Sequence, residues 1–157
     1  GSEEACREVA RLLEPAGFRA MIGKPGSSSQ ASMTAAMTAF TAGLELAGWS
    51  LKAYRNSPWL RRAAGACREA ILGQTHGAGA FTRIGLSGPV LSACFFLVAL
   101  ALPLLFPFDV EKYLKFHYTK TREQTLVLLN VFMKDAMAER DAAANIRSLL
   151  KGLMDGR

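Results

Sequence analysis

The chain has 157 residues, 50% of them hydrophobic and 20% charged, with a formal net charge of +6. That length accommodates one domain and excludes two comfortable ones, and the composition is close to that of an ordinary globular protein. The basic excess suits an anionic lipid surface, an acidic partner or nucleic acid, and simple solubility explains it equally well.

Gly1 is not a start methionine, so the chain reads as a processed product, a chain carrying an added Gly-Ser, or a piece of something longer. Ser2-Glu3-Glu4 resembles neither a signal peptide nor a transit peptide. Cys6, Cys67 and Cys94 are widely separated and form no CxxC pair, so neither a zinc site nor a disulfide framework is expected. Cys94, inside an apolar run, is expected to pack as a small hydrophobe.

Glu3–Glu14 predicts a short helix capped by Ser2, with Cys6, Val9, Leu12 and Leu13 on one face and Pro15 and Gly17 ending it. Gly23–Gln30 reads as a loop. Its Lys24 precedes Gly26, whereas a phosphate-binding loop needs its Lys-Ser/Thr pair after the glycines, so a linker is the better reading.

Ala31–Tyr54 predicts a longer helix. Met33, Met37, Phe40, Leu44, Ala47, Leu51 and Tyr54 alternate spacings of four and three and fall on one stripe, a packing seam. Ala39, Gly43 and Ala47 repeat every fourth residue and would let another helix approach closely. Glu45 and the many hydroxyls argue against an autonomous membrane span here. Within this stripe Met37, Phe40, Gly43, Leu44 and Leu51 are the candidate helix-packing residues.

Ser57-Pro58 predicts a helix start, with a capping hydroxyl followed by a proline whose missing N–H costs nothing, and Gly73 predicts its end. Trp59, Leu60, Ala63, Cys67, Ala70 and Ile71 would face inward; Arg61, Arg62 and Arg68 would form a basic outer side, solvated or laid on an anionic membrane. Residues 1–72 thus form a region of amphipathic helices, and the glycines of 73–88 mark a loop after it.

The run Ile84–Phe108 carries no charge, and Val90–Phe106 contains one polar side chain, Ser92, and one breaker, Pro103. As a helix, Pro89–Phe108 would reach about 30 Å, the thickness of a bilayer's hydrocarbon core. Apolar residues surround its helical wheel, so it must be hidden on every side, by lipid or by protein. Phe106, Phe108, Tyr113, Phe116 and Tyr118 follow it, mixed with Lys112, Lys115, Lys120 and Arg122. Aromatic and basic residues together suit a membrane–water interface, which favours a transmembrane helix over a buried soluble one. Arg61, Arg62, Lys112, Tyr113, Lys115 and Tyr118 are the candidate lipid or interface contacts. The positive-inside rule places the C-terminal part on the cytoplasmic or matrix side, with an organellar inner membrane one candidate location.

Residues 109–157 read as an interfacial segment followed by a partner-binding helix. Thr121 and Gln124 resemble a capping box, and no Pro or Gly interrupts Arg122–Lys151, which predicts a single long amphipathic helix over 122–154. Leu126, Leu129, Met133, Met137, Ile146, Leu150 and Leu153 form its apolar stripe, and Lys134, Asp135, Glu139, Asp141, Arg147 and Lys151 its charged one. Such a helix serves as an arm for a partner or packs onto its own chain.

Chemistry is harder to find. His76 and His117 lack a second ligand at metal-binding spacing, and no GxSxG, HExxH or GxGxxG occurs. Cys67 with His76 would make a nucleophile–base pair only if Cys67 left its apolar face. Asp109 and Glu111 beside Lys112 suggest either a proton-handling group or, more simply, a helix cap. No catalytic, cofactor or metal residues are assigned, and dispersed basic residues give no expectation of nucleic-acid binding.

The sequence therefore predicts an all-α protein of about five helices. The expected role is a non-catalytic, membrane-anchored structural or accessory subunit that binds other protein subunits, with membrane lipids as further partners. The alternative is a soluble interaction or regulatory module with the hydrophobic helix as its core. An enzyme whose site is completed by another chain is a third reading.

Overall fold

In a computed structural model of the chain, the described residues are 28–74, 85–138 and 142–156, with Glu8, Arg11 and Pro15 before them. The expected helix over Glu3–Glu14, the linker at Gly23–Gln30 and most of the 73–88 loop lie wholly or largely outside them.

The described residues are helical: α1 (Ser28–Leu46), α2 (Leu51–Arg55), α3 (Pro58–Gln74), α4 (Gly88–Leu105), α5 (Val110–Lys120), α6 (Arg122–Ala138) and α7 (Ala144–Asp155). The all-α class stands, and the expected count of about five is too low because two long helices are each broken and the segment after α4 forms a helix of its own, α5.

The first break falls inside the expected 31–54 helix. Gly48 adopts φ +73, its N–H bonds Glu45 O at 2.9 Å, and the Trp49 N–H reaches back to Leu44 O at 2.9 Å. This pair of bonds closes α1 in a Schellman motif, for which glycine suits the left-handed position. Ser50 then caps α2, its hydroxyl accepting from the Ala53 N–H at 3.3 Å. The buried seam continues across the break, with Phe40 and Leu44 on α1 and Leu51 and Tyr54 on α2, whereas Met33 and Met37, nearer the start of α1, face outward.

The second break divides the expected 122–154 helix. Ala143, at φ +47, precedes α7, and α7 packs back on α1, α3 and α6 instead of projecting as an arm. Its Ile146, Leu149, Leu150 and Leu153 are buried. Thr121 makes no capping box; its hydroxyl donates to the His117 carbonyl at 3.4 Å. Ser57 does behave as expected, accepting from the Trp59 N–H at 3.3 Å.

The centre of the bundle is α3, which touches α1, α4, α6 and α7. Small residues make this position available. A Cβ on Gly43 would stand 2.8 Å from that of Ala63, where α1 crosses α3, and one on Gly73 would stand 2.6 Å from the backbone nitrogen of Ala136, where α6 crosses it. Leu60, Ala63, Cys67, Ala70 and Ile71 are buried as expected, while Trp59 is only partly covered.

Three polar ties lock the helix ends. Glu69, 5% exposed, takes the place of a capping side chain for α7: its carboxylate accepts from the backbone N–H groups of Asn145 and Ile146, each at 3.0 Å, and from Asn145 Nδ2 at 2.7 Å. Arg122 pairs with Glu45 at 2.6 Å and also donates to the Leu153 carbonyl. Glu111 accepts from the Leu51 N–H at 2.7 Å, supporting the start of α2 from α5.

Tyr54 is fully buried, and its hydroxyl has no hydrogen-bond partner. An unsatisfied buried hydroxyl is a net cost, so Tyr54→Phe is expected to stabilise the fold by about 1 kcal/mol in urea denaturation. A loss of stability would show that the hydroxyl has a partner in solution.

Candidate functional site

The most apolar helix lies on the outside of the bundle. Of α4, only Phe95 and Ala99 are buried, with Leu91 and Leu102 partly covered along the same stripe. Phe40 meets Phe95 edge-on at 5.5 Å and Tyr54 at 5.2 Å, which fixes this stripe against α1 and α2. The remaining faces carry Val90, Phe96, Leu97, Val98 and Leu100 outward, and Leu104 and Leu105 are 83% and 72% exposed. Cys94 is exposed as well, contrary to the packed position expected for it.

Pro103 sits inside α4 and cannot donate to the carbonyl four residues before it, that of Ala99. Arg55 supplies the missing donor: its guanidinium reaches Ala99 O at 3.0 Å and lies 5.9 Å from the Phe96 ring centre. An arginine from α2 thus satisfies the interior carbonyl of the apolar helix that Pro103 leaves open.

The helix ends at Leu105, short of the expected Phe108. Phe106 is extended (φ −112, ψ 135), as the residue before a proline tends to be. Asp109 then caps α5, accepting from the Lys112 N–H at 3.0 Å. Around this corner runs a chain of rings: Phe106 to Phe108 at 5.3 Å, Phe108 to Tyr113 at 5.6 Å, Tyr113 to His117 at 5.9 Å and His117 to Tyr118 at 4.9 Å. Lys120 Nζ lies 4.0 Å over the Phe116 ring.

Charge on α5 is sorted by face. Its acids are engaged in capping, Asp109 for its own helix and Glu111 for α2. Its cations Lys112, Lys115 and Lys120 point outward with Tyr113 and Phe116. Val110 and Leu114 are buried, and Tyr118 is half-buried against the core. Burial and the neighbouring Tyr113 raise the Tyr118 phenol above its usual range.

Of the expected lipid contacts, Lys112, Tyr113 and Lys115 therefore lie together on one exposed face, and Tyr118 adjoins it from below. Arg61 and Arg62 do not join them. Arg61 faces the opposite end of α4, and Arg62 stacks over Trp59 at 5.2 Å and donates to the Ser148 hydroxyl. Arg55 escaped the sequence reading; the signal for it was the helix-interior Pro103, which demands a donor without saying where from.

Cys67 is buried against Tyr54, and burial pushes its thiol up to about 11. It is a packed thiol rather than a nucleophile; its suggested partner His76 lies outside the described residues. The folded value lies above the ordinary thiol value, so the unfolded chain loses its proton first. Stability is thus complete below about pH 9 and falls as pH rises through about 11, by about 2–3 kcal/mol. Burial raises Tyr54 in the same direction. Urea midpoints across that range should fall in the wild type and fall less in Cys67→Ala; parallel curves would contradict it. Among the described residues no three His, Cys, Asp or Glu side chains converge as metal ligands.

Comparison with family models, curated proteins and solved structures finds no match, so the apolar α4 and the aromatic–basic α5 are read from their own geometry.

Proposed function

We propose that the protein is a non-catalytic, membrane-anchored subunit whose α4 enters the hydrocarbon layer and whose α5 lies at its surface. The observation that carries this reading is the outward-facing side of α4. A helix of this length and composition can cross a bilayer, and on the bundle it keeps only two residues buried. An apolar surface of this kind in water marks a site of contact with membrane or protein. The rings and lysines beyond it have the composition of an interface, and Arg55 removes the polar penalty that Pro103 would otherwise carry into an apolar environment.

Neighbouring subunits have separate surfaces available. Met33 and Met37 on α1, and Val127 and Val131 on α6, are exposed pairs four residues apart. The helices at the C-terminus are part of the bundle itself, so an assembly contact would use these outer faces rather than a free arm.

Fractionation tests the reading. Expressed in cells, the protein should pellet with membranes and resist carbonate washing, and Val98→Arg should shift it to the supernatant while leaving its helical spectrum unchanged. Val98 faces outward, so the substitution does not disturb the core. A detergent-free, monodisperse monomer of the wild type would sink the proposal. The soluble interaction or regulatory module would then stand.

A further inference from the structure

We infer that the cavity between α3 and the starts of α4 and α7 binds a phosphate-bearing group, with an anionic phospholipid headgroup as its source. The pocket, about 760 Å³, lies at the end of α4 opposite α5. Arg61 and Arg68, two turns apart on α3, both line it, and Gly65 between them contributes no side chain to fill it. The other arginines of the described helices α1 to α7 are committed: Arg55 to Ala99, Arg62 to Trp59 and Ser148, Arg122 to Glu45 and Leu153, Arg147 to Ala142. Arg61 and Arg68 make no ion pair or hydrogen bond among the described residues.

Facing them are Ser87, Gly88 and Ser92 at the start of α4. The Ser87 hydroxyl is not used for capping, and the first-turn N–H groups of an 18-residue helix carry partial positive charge. Among the described residues one carboxylate lines the cavity, that of Glu69, and both its oxygens are held by α7. Two free guanidiniums, two hydroxyls and a helix start suit a phosphate monoester or diester, for which arginine offers paired donors.

The lipid source follows from what adjoins the pocket. Pro89 lines it and Val90 is exposed beside it, and the outer face of α4 continues through Leu97. A headgroup held by Arg61 and Arg68 would lay its acyl chains along that face. The lipid source rests on the membrane reading; the phosphate site stands on the cavity alone.

The test compares wild type, Arg61→Gln/Arg68→Gln and, as a charge-matched control on the exposed sides of α6 and α7, Lys134→Gln/Lys151→Gln, each checked for an unchanged thermal melt. Binding is measured to vesicles of phosphatidylcholine with and without phosphatidic acid, and to glycerol 3-phosphate by calorimetry. The expected result is a wild-type preference for phosphatidic acid that the double arginine variant loses by roughly tenfold and the double lysine variant largely keeps. Glycerol 3-phosphate binding that depends on both arginines, with no preference among vesicles, would uphold the site and overturn the lipid source. If in addition no vesicle binds, the membrane reading fails while the phosphate site stands. Wild type that binds neither phosphate probe, or a double arginine variant that binds both normally, would overturn the inference.

Discussion

Glu69→Ala is expected to lower the unfolding free energy by about 3 kcal/mol and to release the start of α7. The glutamate belongs to α3, yet three donors converge on its carboxylate from the first residues of α7. Ala143, in the capping position, offers no side-chain oxygen, so these N–H groups have no local acceptor. Truncation removes three charge-assisted bonds and leaves two backbone donors buried without partners, and each such bond contributes about 1.5–3 kcal/mol before the non-additivity of a shared acceptor is allowed for. Asn145→Ala removes a single bond and should cost about 1 kcal/mol. Urea denaturation gives both numbers, and hydrogen exchange at Asn145 and Ile146 locates the effect. A loss for Glu69→Ala no greater than that for Asn145→Ala would show that α7 caps itself in another way.

Gly73→Ala should cost about 2–3 kcal/mol even though alanine is the better helix former. The new methyl would meet Ala136 N at 2.6 Å, Ala136 Cα at 2.8 Å and Asp135 C at 2.9 Å. All three are backbone atoms of α6, so no side-chain rotation relieves them and the two helices must part. Separation loosens Leu129 and Phe132, which α6 buries in the core. Gly88→Ala is the matched comparison: nothing lies within 4 Å of its Cβ position, so it should be nearly neutral. Equal melting temperatures for the two variants would mean that α6 packs farther from α3 than described.

Sequence patterns had different reach for different elements. The start of α3 was legible because Ser57 and Pro58 act locally. The start of α4 was legible from Pro89 in its first turn, without a cap bond from Ser87, and the close crossing at Gly43 because small residues repeat every fourth position. The break at Gly48 was written in the sequence, a glycine with Ser50 two residues on, but a continuous apolar stripe reads straight through a turn that preserves its phase. The break before α7 was not written locally at all. Its cap comes from Glu69, 76 residues away, and no pattern within the segment announces it. At the site, the rings and lysines of α5 were identified as a group, whereas the reach of the exposed Arg62 to Ser148, 86 residues on, is not written in its own segment. The cavity at Arg61 and Arg68 was invisible, since it depends on which helix starts stand opposite them.

The place of α3 bears on how the chain tolerates change over time. The backbone of α6 presses on it at Gly73, the Asn145 side chain at Gly65 and α1 at Ala63, so the inward positions of α3 admit little change of size. On the outer side of α4, where few atoms press inward, leucine, valine, isoleucine or phenylalanine would serve alike. A saturation-mutagenesis map of this protein should therefore look inverted: the plain, alanine-rich stretch would be nearly immutable, and the conspicuous oily one would drift freely so long as it stayed oily.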